Sequence, residues 1–219
     1  MSKEHHLKYL LLIILWLTTG CKNSFEGKIS YQSVFTNKKD NLQWLVLNER
    51  LGTSQVMFIK GNKVLTKTNG TFLRSQLYQG STNRVFTRFN NDSLYWKSCD
   101  ISDDPPVKYE MVKGTNIDTV LGMHCDIIIV YTKKSKTTYY YNSKYFVDPE
   151  MFKQLNYENR YFLYSKIKSL PLKSIYEASD WTLTTTATEA KAQIIENALF
   201  DIGDTSKLAP FDHIKFLHP

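Results

Sequence analysis

The sequence predicts an α+β domain dominated by one large, curved antiparallel sheet. Three observations carry that expectation. Aromatic residues make up 14% of the 219 residues, led by 14 Tyr and 12 Phe, and such side chains favour strands. Short segments with apolar residues at every second position recur along the chain, the period of a strand with one buried face. Turn signals such as Gly61-Asn62 and Asn69-Gly70 separate them, with no repeat, heptad array or low-complexity linker between.

The chain opens differently. A polar start, MSKEHHLK, leads into an apolar run from Tyr9 to Leu17 and then into Thr18-Thr19-Gly20-Cys21. Nine residues of helix reach about 14 Å, well short of the ~30 Å bilayer core, so the run suits a secretory signal better than a membrane span. A small residue directly before a cysteine resembles the lipobox of bacterial lipoproteins, with Thr18 standing where that motif usually carries Leu. The resemblance implies cleavage before Cys21, a diacylglycerol on its sulfur and an acylated (palmitate-class) new N-terminus. Two or three acyl chains, at about 0.8 kcal/mol per buried CH₂, would anchor the protein stably. The expected layout is therefore a cleaved signal peptide over 1–20, a lipid-anchored tether over 21–24, a folded domain over 25–203 and an irregular tail over 204–219. The competing reading is an ordinary signal peptide with an incidental cysteine.

With Cys21 lipidated, Cys99 and Cys125 remain, an even pair in an oxidising exported compartment. A bridge between them would close a loop of about 27 residues and contribute about 3.5 kcal/mol in the chain-entropy model; two buried thiols are the alternative. No metal site is expected: the chain has no Cys-x-x-Cys, and His124 points to the opposite face of a strand from Cys125.

The elements follow in order. Phe25, Gly27, Ile29, Tyr31 and Phe35 share parity and predict a first strand. Leu42, Leu45 and Leu51 fall on one face of a helix over 38–51, with Gly52 where a C-cap belongs. Hairpins are expected around residues 60–63, 68–70 and 90–92, and Asp103-Asp104-Pro105-Pro106 reads as a loop. Val107, Tyr109 and Met111 alternate with charged residues in a half-exposed strand, whereas HCDIIIVYT is apolar on both parities and reads as a central strand covered on both faces. After the turn at Lys133-Lys134-Ser135-Lys136, TTYYYNS is strand-like. Asp148-Pro149-Glu150 starts a short helix over 149–155, with a cap, a proline and an acid in the first turn. Residues 161–177 and 181–194 read as two more strands, and the tail from Asn197 as irregular. The total is ten or eleven strands with two or three helices.

The order of these features resembles a family of exported, Bacteroidetes-type lipoproteins of unknown function. The resemblance rests on FEGKISY, FIKGNKVLTKTNG, VLGMHCDIIIVY, TTYYYNSKYFVDPEMF, SLPLKSIYE and TLTTTATEAKAQIIENALFDI, and covers residues 25–203. That family looks related to the lipoprotein-localisation factors (LolA/LolB-like). The resemblance implies an unclosed half-barrel with an apolar concave face and helices across its opening. It implies a non-catalytic protein that holds a lipid or another hydrophobic small molecule, and it carries over no site residue.

The residues point the same way. The net charge of +7 is spread along the chain, with no basic arm or aromatic-interleaved stripe, which argues against nucleic acid and suits a surface near anionic lipid. No nucleophile elbow, zinc-protease helix or phosphate loop is present, so neither an enzyme nor a cofactor is expected. Inward-facing candidates for ligand contact are Tyr31, Phe35, Phe58, Tyr109, Met111, Ile127, Ile129, Tyr139, Tyr141, Trp181 and Leu183, which would otherwise form core against the helices. The expectation is an exported protein, lipid-anchored to a bacterial membrane, with the outer membrane favoured and facing periplasm or surface. A partner-binding lipoprotein using an exposed face, and a hydrolase, are the competing readings.

Overall fold

The computed structural model describes residues 23–38, 43–113, 119–205 and 208–211, with backbone alone for residues 43 and 44. Cys21, the signal segment and most of the far C-terminus, including His213 and His218, lie outside the described residues.

Alternation builds the first strand. In β1 (Gly27–Asn37) the even steps from Ile29 through Phe35 are buried and the odd ones are not. It lies mid-sheet, paired with β2 (Ser54–Lys60) on one side and β13 (Trp181–Ala192) on the other. From β2 the chain meanders outward through β3 (Lys63–Thr68), β4 (Leu73–Gln79), β5 (Arg84–Phe89) and β6 (Leu94–Ser98). On the other flank β12 (Ser169–Glu177), β11 (Lys136–Phe146), β10 (Asp126–Tyr131) and β7 (Lys108–Val112) follow in that spatial order. The pairings are antiparallel, and β6 and β7 remain as the two edges of an unclosed eleven-stranded sheet. A tight β8–β9 hairpin (Thr119–Val120, Met123–His124) turns at Leu121-Gly122, where both residues have positive φ, as its turn type requires.

The sheet is curved. Gln76 on β4 and Val130 on β10 border one cavity, although seven inter-strand steps separate their strands. A flat sheet would hold them roughly 34 Å apart at ~4.8 Å per step.

Among the described residues, two α-helices accompany the sheet. The first, α1 (Gln43–Leu51), packs on β1, where the Asn48 side chain bonds both backbone groups of Phe35 at 3.2 and 3.4 Å. It ends as expected at Gly52, whose amide reaches Asn48 O at 3.0 Å. With φ at +89° and Gly70 N only 2.5 Å from where a Cβ would sit, that position admits glycine alone. The second helix, α2 (Arg160–Ile167), corrects the expectation of a strand from residue 161. Leu163, Tyr164 and Ile167 are all buried; this i, i+1, i+4 spacing is helical, and the aromatic content masked it. Before it, Asp148 caps a single 3-10 turn (Pro149–Phe152) by accepting from Glu150 N at 3.0 Å.

Each face of the sheet has its own cover. One end of the concave face is filled by Ile29, Met57, Ile59, Tyr78, Leu172 and Ala187 against Phe152, Leu155 and Tyr164. Nearer β10, Ile128, Val130 and Tyr141 pack under Leu163 and Ile167 of α2. On the convex face Leu65, Leu77 and Phe86 pack against Ile195 and Phe200. The segment read as an irregular tail is thus a strap, tied by Lys60 Nζ to Ile195 O (2.6 Å), Gln79 Nε2 to Phe200 O (3.1 Å) and Trp96 Nε1 to Leu208 O (3.1 Å).

Three further expectations are corrected. Cys99 and Cys125 form no disulfide; both are buried thiols within the same apolar cluster. The Cys125 thiol donates to Met123 O at 3.6 Å, and that of Cys99 is engaged by the backbone at Val85; both behave as small apolar side chains. The strand β10 is not central but second from the edge, and its two apolar faces reflect α2 on one side and a locally buried Ile127 on the other. The strand β7 is the edge itself and is largely exposed.

Candidate functional site

The part of the concave face that the core does not fill is a cavity of about 600 Å³. Register sets its floor. Tyr31, Ser33 and Phe35 alternate inward along β1 beside Gln55 and Met57 of β2. Leu183 and Thr185 of β13, Ser174 and Tyr176 of β12, and Thr137 and Tyr139 of β11 continue the same face. One end is aromatic: Trp181 stacks on Tyr176 (5.0 Å between ring centroids) and tilts against Phe35 (5.6 Å).

The other end is polar and is built by residues 156–160. Glu158 and Asn159 both adopt the left-handed region, with φ of +51° and +59°. That conformation costs roughly 1–2 kcal/mol for Glu158 and less for Asn159. It persists because the segment is pinned: Asn156 Nδ2 donates to Asp100 O at 2.8 Å, Asn159 Nδ2 to Asp104 O at 2.9 Å, and Tyr161 N to Leu155 O at 2.7 Å. Strain held by its surroundings is a mark of positioned side chains. Here it sets Glu158 and Arg160 side by side in the cavity, Nη2 to Oε2 at 2.9 Å.

Arg160 is surrounded by protein yet keeps 36% of its side-chain surface accessible, because it faces the cavity. Burial alone would lower its pKa; the Glu158 carboxylate and the Tyr164 and Tyr139 hydroxyls outweigh that and raise it, so it is a fixed cation. The neighbouring phenols of Tyr31, Tyr139 and Tyr164 are held above their ordinary range chiefly by burial, and that of Tyr157 chiefly by the Glu158 charge. These tyrosines are neutral hydrogen-bonding groups at physiological pH.

Acidic groups also meet here, but each is engaged. Asp103 pairs with Lys97 (2.5 Å), Asp104 accepts from Thr132 Oγ1 (2.5 Å), and Glu158 holds Arg160. His124 is exposed on β9, and no cluster of three or more His, Cys, Asp or Glu with metal-binding geometry occurs among the described residues.

Of the residues expected to contact ligand, Tyr31, Phe35, Tyr139, Trp181 and Leu183 line the cavity. Tyr141 shares their face but is covered by α2. Tyr109 and Met111 have the same facing by register but sit at the edge, 42% and 46% exposed, with the Tyr109 ring against Phe162 at 5.6 Å. Phe58, Ile127 and Ile129 are corrected to the convex face, since their partners Leu65, Val112 and Glu110 alternate with inward residues; Phe58 packs on the strap. Glu158, Arg160, Gln55 and Thr66 were not singled out by the sequence. The one available signal was the Asn156…Asn159 pair, the residue type that tolerates left-handed backbone.

The lining is mixed rather than purely apolar: apolar atoms make up the larger part of its accessible surface, and polar side chains are set among them. Hydroxyl, amide and charged side chains outnumber aliphatic ones. A pure hydrocarbon laid against such a floor would desolvate these groups at about 1–3 kcal/mol each.

No family model matches this chain, and no curated protein does. Among solved structures, two crystal forms of PNGF-II are similar, at TM-scores of 0.45 and identities of 13% and 14%, over 83% and 82% of this chain. The chain spans only about 30% of their length.

Proposed function

We propose that this chain is an exported, lipid-anchored envelope lipoprotein, a LolA-like half-barrel that binds a small amphipathic ligand in its concave face without covalent chemistry. The observation that carries the reading is the cavity itself. A sheet that simply needed a core would fill its concave face, as this one does at the Ile29–Leu172 end, whereas about 600 Å³ is left open beside Phe35, Tyr139 and Arg160. That volume lies within the range of small-molecule sites. The ligand has polar as well as apolar surface, because both kinds of side chain line the space. The signal segment and Cys21 support export and anchoring.

The test is native mass spectrometry of protein purified from its own membranes. A non-covalent small molecule is expected with the wild type and is lost in Thr66→Trp, which fills the cavity from β3; Cys21→Ser leaves the membrane fraction. A wild-type protein that carries nothing under any extraction would overturn the binding reading. One observation favours a second reading, a lipoprotein that docks a partner: Val107, Tyr109, Met111 and Val112 are 40–60% exposed along the β7 edge.

A further inference from the structure

Resting on the cavity-binding reading, we infer that the ligand is a neutral, hydroxyl-rich molecule, a saccharide, recognised by the Glu158–Arg160 pair and the amide and hydroxyl side chains of the floor. Charge is the first argument. Arg160 is answered by Glu158 at 2.9 Å and Asp103 by Lys97 at 2.5 Å, while the Lys173 ammonium lies over the Tyr140 ring, 4.8 Å from its centroid, on the convex side. An anionic ligand drawn to Arg160 would meet Glu158 and Asp104 in the same space, and a cationic one would meet Arg160. A neutral ligand meets no such opposition.

Unused hydrogen-bonding capacity is the second argument. Gln55, Thr66 and Ser174 line the cavity, and their side chains have no protein hydrogen-bond partner among the described residues. Arg160 donates to Glu158, which leaves further guanidinium N–H groups of its five. A hydrocarbon strands all of these. Sugar hydroxyls donate and accept at once, so they answer an amide, a hydroxyl, a guanidinium and a carboxylate in one site. The aromatic rings on the same walls suit the apolar C–H faces of a pyranose.

The test is a glycan array of neutral hexose and N-acetylhexosamine oligosaccharides beside their sialylated counterparts, followed by calorimetry on any hit, with the uncharged octadecenol as the long-chain hydrocarbon probe. Binding to at least one neutral oligosaccharide is expected, with an affinity that changes less than about twofold as salt screening is raised. Arg160→Gln should weaken it about tenfold or more. Because that change strands Glu158 and could unsettle the fold, Gln55→Leu is the second variant: it keeps the volume, removes the amide, and should weaken the sugar while improving octadecenol. Selective binding of sialylated glycans with steep salt dependence would overturn the inference. So would tight octadecenol binding by the wild type, or a copurified ligand that is not a saccharide; both leave the cavity-binding reading standing. No glycan bound and no copurified molecule would overturn both.

Discussion

Cys99 shows what a single buried residue does to the pH range of this fold. Its side chain is fully buried, and burial pushes the thiol up to about 12; the Tyr78 phenol in the same cluster is likewise pushed up, chiefly by burial, to about 12. In the unfolded chain these groups release protons near their ordinary values of 9.0 and 10.0. Below pH 9 both states hold the protons, so the stabilisation from the raised values is fully present. Between pH 9 and 12 the unfolded chain binds fewer protons than the folded one, and stability falls as pH rises. As far as these two groups go, the urea midpoint is therefore expected to be flat from about pH 7 to 9 and to decline above that range. Cys99→Ala should remove the part of the decline that begins nearest pH 9. An identical slope in the variant would place the alkaline sensitivity elsewhere. Both thiols are buried, so Cys99 and Cys125 should resist alkylation at pH 8 until denaturant is added; for Cys99 the raised thiol pKa adds to this, since the thiolate is the reactive form.

At the scale of elements, the convex strap is where sequence and structure part furthest. Phe200 is 2% exposed and sits on Leu65, Leu77 and Phe86, so Phe200→Ala should cost about 3–5 kcal/mol, the range for a large buried aromatic. Urea unfolding measures this; a loss below 1 kcal/mol would mean that the strap lies loosely on the sheet. No periodicity announces such an element, because residues 195–205 follow neither a helix nor a strand repeat and are ordered by the surface they cover. By contrast, β1, the hairpins around Gly61 and Asn91, the Gly52 cap and the Asp148 cap were legible, since parity and turn chemistry are local. The helix α2 was not, because Tyr161, Phe162 and Tyr164 favour strands on propensity while tertiary burial of Leu163, Tyr164 and Ile167 decides the matter. The candidate site was half legible for the same reason. Its aromatic wall lies on regular strands, whereas Glu158 and Arg160 reach it through a pinned, left-handed turn.

The whole molecule is an open sheet, and an open sheet has two edges to manage. The β6 edge is bridged by the strap, where Trp96 N donates to Ala209 O at 3.3 Å and Trp96 pairs in parallel with Pro210. The β7 edge pairs only with β10 among the described residues, and it presents Tyr109, Met111 and Val112 at 40–46% exposure beside Lys108 and Glu110. Those two charges form their own pair at 2.6 Å, which lowers the net charge that would otherwise discourage a second chain from adding to the edge. Self-association at high concentration is therefore expected to proceed through β7. Met111→Lys places an unpaired cation in the middle of that edge. Because the side chain is 46% exposed in the native state, folding stability should change by no more than about 0.5 kcal/mol, as at ordinary surface positions. Light scattering across a concentration series should show weaker association in the variant, with the difference shrinking as salt screens the new charge. Unchanged association would remove the β7 edge from consideration and leave the convex face and the cavity mouth as the surfaces where copies meet.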